Sequence, residues 1–142
     1  ALPIYDGFIG NSVIGEWCNL GADTNNSNLK NNYSTVKIWS YAEKMMIETG
    51  LQFCGLFMGD HTKCSINTMF NTGTVTGVSA NIFGSDFPPK YIPSFGWGGA
   101  RGFEKFQLNK AVELAERVFD RRNLPFDEIE KSIFSHIYKT TD

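Results

Sequence analysis

Most apolar residues between 59 and 84, in GDHTKCSINTMFNTGTVTGVSANIFG, stand singly among Gly, Asn and Thr. The stretch contains no Leu and is poor in Ala and Glu, which argues against a helix. Its apolar positions are also too sparse for an ordinary sheet strand. Counted in sixes from Ile66, the positions Ile66, Thr72, Val78 and Gly84 recur, and two residues before each stand Cys64, Phe70, Thr76 and Ile82. Residues i and i−2 of a strand point the same way, so this frame puts both members of each pair inward. Near the N-terminus the spacing returns: Ser12 with Ile14, Cys18 with Leu20, Thr24 with Asn26, followed by Gly15 and Gly21. Val36 and Ile38 stay in phase, 18 residues after Cys18 and Leu20.

A period of six fits one short strand plus one corner. Corners that frequent need backbone with positive φ, which Gly adopts freely and Asn tolerates. Three strands and three corners close a triangular coil of about 18 residues, whose narrow interior suits small and β-branched side chains. The pattern predicts a mainly β fold, a hexapeptide-repeat parallel β-helix over residues 1–86. A β-sandwich with Gly/Asn turns is the competing architecture.

Ile38 and Ile66 are 28 residues apart, which is not a multiple of six, so an insertion separates the two blocks. VKIWSYAEKMMIETG supplies it, as a hairpin over about 36–50 protruding from one corner. After Gly84 the repeat stops. The Pro- and Gly-rich segment 87–103 is predicted to be an extended connector outside the ladders. Within 104–142, Leu108, Val112, Ala115 and Phe119 share one face of an amphipathic helix. A second helix begins near FDEIEKSIFSHIYK, where Asp127 and Glu130 have capping-box spacing. Both helices are expected to cover the open end of the coil stack.

Composition narrows the function. Thirteen basic and fifteen acidic side chains with no long like-charge run leave no footprint for nucleic acid or membrane. No apolar run reaches the roughly 20 residues of a membrane span. Cys18, Cys54 and Cys64 have no CxxC spacing, which suits reduced thiols in a cytoplasm and no metal site. Cys18 and Cys64 fall on inward positions and read as small core residues. The chain opens ALPIYDGF, without Met, and is expected to be a fragment of something longer.

GFIGNSVIGEWCNLGADTNNSNLKNNYSTVKI and the 59–84 stretch together resemble one family, over roughly residues 5–84. This is the C-terminal left-handed β-helix domain of bacterial sugar-phosphate nucleotidyltransferases. The likeness is to members similar to bifunctional N-acetylglucosamine-1-phosphate uridyltransferase/glucosamine-1-phosphate N-acetyltransferase. The resemblance implies left-handed coiling, a homotrimer, acetyl-CoA in the groove between neighbours and an amino-sugar 1-phosphate beside it. It implies N-acetylation in nucleotide-sugar biosynthesis, with a His taking the amine proton and an Asn holding the substrate. Nucleotidyl transfer belongs to a separate N-terminal domain with a Gly-rich loop that this chain does not contain. A trimerisation module without acetyl transfer is the alternative.

Carried over by position, Asn28 matches the substrate-holding Asn, and Ala22 a position lining the acetyl-CoA groove. Tyr5 falls where the catalytic His stands, since the chain has Tyr-Asp-Gly-Phe where relatives have His-Asp-Gly-Phe. A phenol with a pKa of about 10 is a poor general base at neutral pH. His61, in GDHTK, is a candidate base, or a phosphate ligand together with Lys63; a corner His bonded only to backbone is the other possibility. Arg101 and Lys105 are candidates for the CoA phosphates, against solvated charges in a hinge. Asp6 and His136 have plainer readings, as an exposed carboxylate and a packing or solvent-facing side chain.

Overall fold

The computed structural model describes residues 6–141. The strands are short: β1 (Val13–Ile14), β2 (Asn19–Leu20), β3 (Asn25–Asn26), then β4 (Lys37–Ser40) and β5 (Met45–Glu48). There follow β6 (Phe57–Met58), β7 (Lys63–Cys64), β8 (Met69–Phe70), β9 (Val75–Thr76) and β10 (Asn81–Ile82). The chain ends with β11 (Tyr91–Ile92), β12 (Gly96–Gly99), β13 (Gly102–Lys105), α1 (Leu108–Asp120) and α2 (Glu128–Thr140).

Most of these strands pair in parallel. β1, β6, β9 and β11 make a first sheet; β2, β7, β10 and β12 make a second; β3 and β8 make a third. The chain visits the three sheets in turn. Asn81 lies beside Lys63 and Val75 beside Phe57, both 18 residues earlier. Asn19 lies beside Lys63, and the larger step between them contains the antiparallel hairpin β4–β5. That hairpin does not stand free of a corner: Trp39 stacks on Tyr91 of the first sheet with ring centroids 4.2 Å apart.

The interior is as narrow as the sequence period requires. Cys18, Leu20, Leu56, Met58, Cys64, Phe70, Ala80, Ile82 and Ile92 form one buried cluster. In the N-terminal block the inward pairs are those the spacing predicts: Cys18 with Leu20, and Thr24 with Asn26, are all buried. In the second block the frame is two residues out. The buried pairs are Thr62–Cys64, Thr68–Phe70, Thr74–Thr76 and Ala80–Ile82, while Ile66 is 63% exposed on a corner. The cause is hydrogen bonding. Thr24, Thr68 and Thr74 each donate a hydroxyl to the carbonyl three residues back, at Gly21, Ser65 and Asn71. A threonine that satisfies its own hydroxyl at the corner can be buried, and a frame counted from Ile66, an apolar residue that lies on a corner, falls two positions late.

The ladder also runs further than expected. Residues 87–103 are not a connector, because Tyr91 pairs with Val75 and Trp97 with Asn81. What the prolines end is the third sheet, which has two strands; Pro88 and Pro89 cannot donate the hydrogen bonds of a third. β13 then folds back antiparallel on β12, so the last strand of the second sheet is covered by a strand rather than by the helices.

The helices pack along a corner instead. Trp17, His61, Ser79 and Phe95 all have φ between 54° and 62°. They stack one above another through His61 N–H to Glu16 O, Ser79 N–H to Asp60 O and Phe95 N–H to Val78 O, at 2.8–2.9 Å. Ala111, Ala115 and Phe119 of α1 and Phe134 of α2 bury against this column together with Phe95 and Phe126. Asp127 caps α2 by accepting from Glu130 N–H at 3.0 Å, as the sequence spacing predicts.

Two buried threonines give opposite expectations. Thr62 donates to Gly77 O and accepts from Ala80 N–H, whereas no partner reaches the Thr76 hydroxyl among the described residues. Thr62→Val strands a buried donor and acceptor and should lower unfolding stability by about 1–3 kcal/mol in denaturant titrations. Thr76→Val, nearly the same shape, should be neutral or stabilising; equal losses at both positions would contradict this account.

Candidate functional site

The corners are where functional side chains can reach outward, because strands only two residues long expose little else. Three different corners carry the candidates. Ala22 sits exposed between β2 and β3, and its carbonyl accepts Asn67 N–H of the next circuit at 2.8 Å. The circuits approach so closely here that a Cβ on neighbouring Gly21 would lie 2.3 Å from Ile66 N, which explains the glycine in NLGA. Asn28 lies beyond β3, half-buried, donating its amide to Asn11 Oδ1 at 2.8 Å. His61 lies on the corner between β6 and β7. Tyr5 is outside the described residues, and Asp6, just within them, is exposed. A single chain therefore does not bring Ala22, Asn28 and His61 together.

His61 departs furthest from its expected role as a base. Only 5% of it is exposed. Phe134 meets its ring edge-on at 4.9 Å, and Phe119 stacks at 5.8 Å, so the two helices close over it. Burial, and then the charge of Lys63, push its pKa down to about 4, against a smaller opposing effect of Asp60. The imidazole is neutral at pH 7 and almost wholly buried, and its Nδ1 has no hydrogen-bond partner among the described residues. It does not pair with Lys63 through the ring; the Lys63 ammonium donates to the His61 carbonyl at 2.8 Å.

Lys105 is also engaged elsewhere. It donates to Tyr138 O and Thr141 O and lies 4.3 Å from the Tyr138 ring centroid, holding the C-terminal end of α2 against β13. Arg101 is exposed on the turn between β12 and β13, and His136 is exposed on α2. Cys18, Cys54 and Cys64 are free and buried, with Cys18 Sγ donating to Gly59 O at 3.2 Å. Burial raises the pKa of Cys18 despite backbone hydrogen bonding at Thr62, which suits a packing role rather than a nucleophile. Among the described residues no cluster of three His, Cys, Asp or Glu could hold a metal. No helix there is long and apolar enough to cross a membrane.

One concave feature has no local signature in the sequence. A groove of about 780 Å³ runs between the corner at Glu16–Asn19, Lys63 of β7, and Val118, Arg121 and Arg122 at the end of α1. Arg121 and Arg122 directly follow α1, where cationic side chains complement its carbonyl end. Their proximity to Lys63 depends on where α1 docks.

Acidification provides a check on the sealed His61. Its folded pKa lies below the unfolded value of about 6.5, so its stabilising neutral state is fully effective above that value. That contribution is lost as pH falls from about 6.5 through about 4. Stability measured across this window should fall less steeply in His61→Asn, a residue that tolerates the left-handed corner. An NMR titration that protonates His61 near pH 6.5 would overturn the buried placement. The chain matches no protein-family model and no curated protein.

Proposed function

We propose that the chain is a left-handed parallel β-helix domain like that at the C-terminus of bacterial sugar-phosphate nucleotidyltransferases. On this reading it is an acetyltransferase domain, assembles as a trimer in the cytoplasm, and uses acetyl-CoA to N-acetylate an amino-sugar 1-phosphate for nucleotide-sugar synthesis. Nucleotidyl transfer would lie in another domain of a longer protein. The observation that supports it best is the three-sheet circuit with an 18-residue step, carrying the family-like segments at its corners.

The separation of candidates over different corners fits a site completed between copies. Phe8, 51% exposed, Met69 and the corner Ile66 are exposed in neighbouring circuits, with Phe8 beside Asn25 and Asn25 beside Met69. They offer apolar surface for self-association. In the reaction the sugar amine attacks the thioester carbonyl, a C–N bond forms, the C–S bond breaks, and the amine proton passes to a base. Asn28, already oriented by Asn11, would hold the acceptor. The sealing of His61 supports a second reading, in which the domain trimerises its parent without transferring acetyl groups.

Ultracentrifugation should give a trimer at micromolar concentration; a lone monomer would remove both readings. Thiol release from acetyl-CoA with glucosamine 1-phosphate should be slow in the natural chain. It should rise about 10²-fold or more in Tyr5→His and change little in His61→Asn, because general-base catalysis is typically worth that much. A trimer with no thiol release in either variant leaves the assembly reading alone.

A further inference from the structure

The groove beside α1 is lined by three cations and one carboxylate. Lys63, Arg121 and Arg122 face it together with Glu16. Among the described residues none of these three cations is in an ion pair; the pairs present are Lys37–Glu48, Arg117–Glu113 and Lys131 with Glu116 and Glu128. Asp60, on the same corner as His61, accepts Glu16 N–H at Oδ1, 2.7 Å away. Lys63 is half-buried, so its charge is incompletely solvated, and a single carbonyl contact to His61 does not neutralise it. The guanidinium groups of Arg121 and Arg122 make no side-chain hydrogen bond among the described residues, although the carbonyl end of α1 is beside them. Planar donors of this kind match phosphate oxygens two at a time.

Shape agrees with charge. A volume of about 780 Å³ is in the range of small-molecule sites, and Trp17, Val118 and Leu124 supply apolar walls. The floor is rigid. Trp17 packs on Phe119 at 4.2 Å, so the corner and α1 are fastened together beneath the charged groups.

We propose that this groove binds a phosphate-bearing small molecule, preferentially a diphosphate, with Lys63, Arg121 and Arg122 as its anion contacts. The site is distinct from Asn28 and Ala22, which lie on other corners, and it does not depend on acetyl transfer. Coenzyme A and a sugar phosphate share the chemistry that would be recognised.

Calorimetry with inorganic pyrophosphate on the full chain tests this. One equivalent per chain should bind, more tightly than orthophosphate and more weakly as salt is added. Arg121→Gln/Arg122→Gln should weaken binding about tenfold or more, since charge-assisted contacts are lost. Lys63→Gln should do the same, while Lys44→Gln, exposed on the hairpin turn, should leave it unchanged. The arginines are exposed, so their replacement should leave the circular dichroism spectrum intact. Displacement by coenzyme A would assign the groove to a cofactor diphosphate, and displacement by glucosamine 1-phosphate to the sugar substrate. Absent pyrophosphate binding, or binding that ignores both groove variants, overturns the proposal. Binding without acetyl transfer would leave this site standing while the acetyltransferase reading fails, and transfer without binding would do the reverse.

Discussion

Backbone hydrogen bonding between left-handed corners is the constraint on which the rest of this molecule depends. Each circuit must turn three times in about 18 residues, and each turn needs a residue with positive φ. Such residues cost energy when they carry bulky side chains. Trp17, His61 and Phe95 adopt this conformation nonetheless, because the N–H of His61 and that of Phe95 each bond the circuit before and the aromatic side chains gain a shared apolar cover. The cover comes from α1 and α2. The corner column gives the helices an apolar surface beyond each other's faces, and the helices in turn cover its rings. Removing a buried Phe of this kind typically costs about 3–5 kcal/mol.

That mutual dependence decides what chemistry the corner can do. A histidine at a solvent-facing corner would titrate near neutral pH and be available as a base. His61 has the same backbone position but sits under Phe119 and Phe134, so burial holds it neutral. The docking of α1 has a second consequence, since the same helix end brings Arg121 and Arg122 to Lys63. One packing event removes a titratable group from solvent and assembles a cationic groove beside it.

The site was less legible than the fold. Asn28 and Ala22 were found by position within a resemblance, and the structure places them on separate corners of one chain. By charge Lys105 is a candidate for a phosphate role or a solvated hinge cation, yet its ammonium holds the end of α2. Charge alone does not reveal which partner a long flexible side chain will reach. The groove has no local signature, because its members are scattered from Glu16 to Leu124 and no spacing links them.

The period of six, set by alternation along a strand and by glycine and asparagine at the turns, was determined by the sequence itself. So were the hairpin, the two amphipathic helices and the Asp127 cap, because each arises from residues a few positions apart. The inward frame of the second block was not, since hydroxyls bonded at their own corners let threonines replace aliphatic residues in the interior. Nor was the end of the ladder, because Pro88 and Pro89 interrupt one sheet while the other two continue past them. Only the tertiary structure decided where the helices lie, and therefore that His61 is sealed and that Lys63 meets two arginines. Those contacts join residues more than fifty positions apart, and they form only when the apolar faces of α1 and α2 find the aromatic corner.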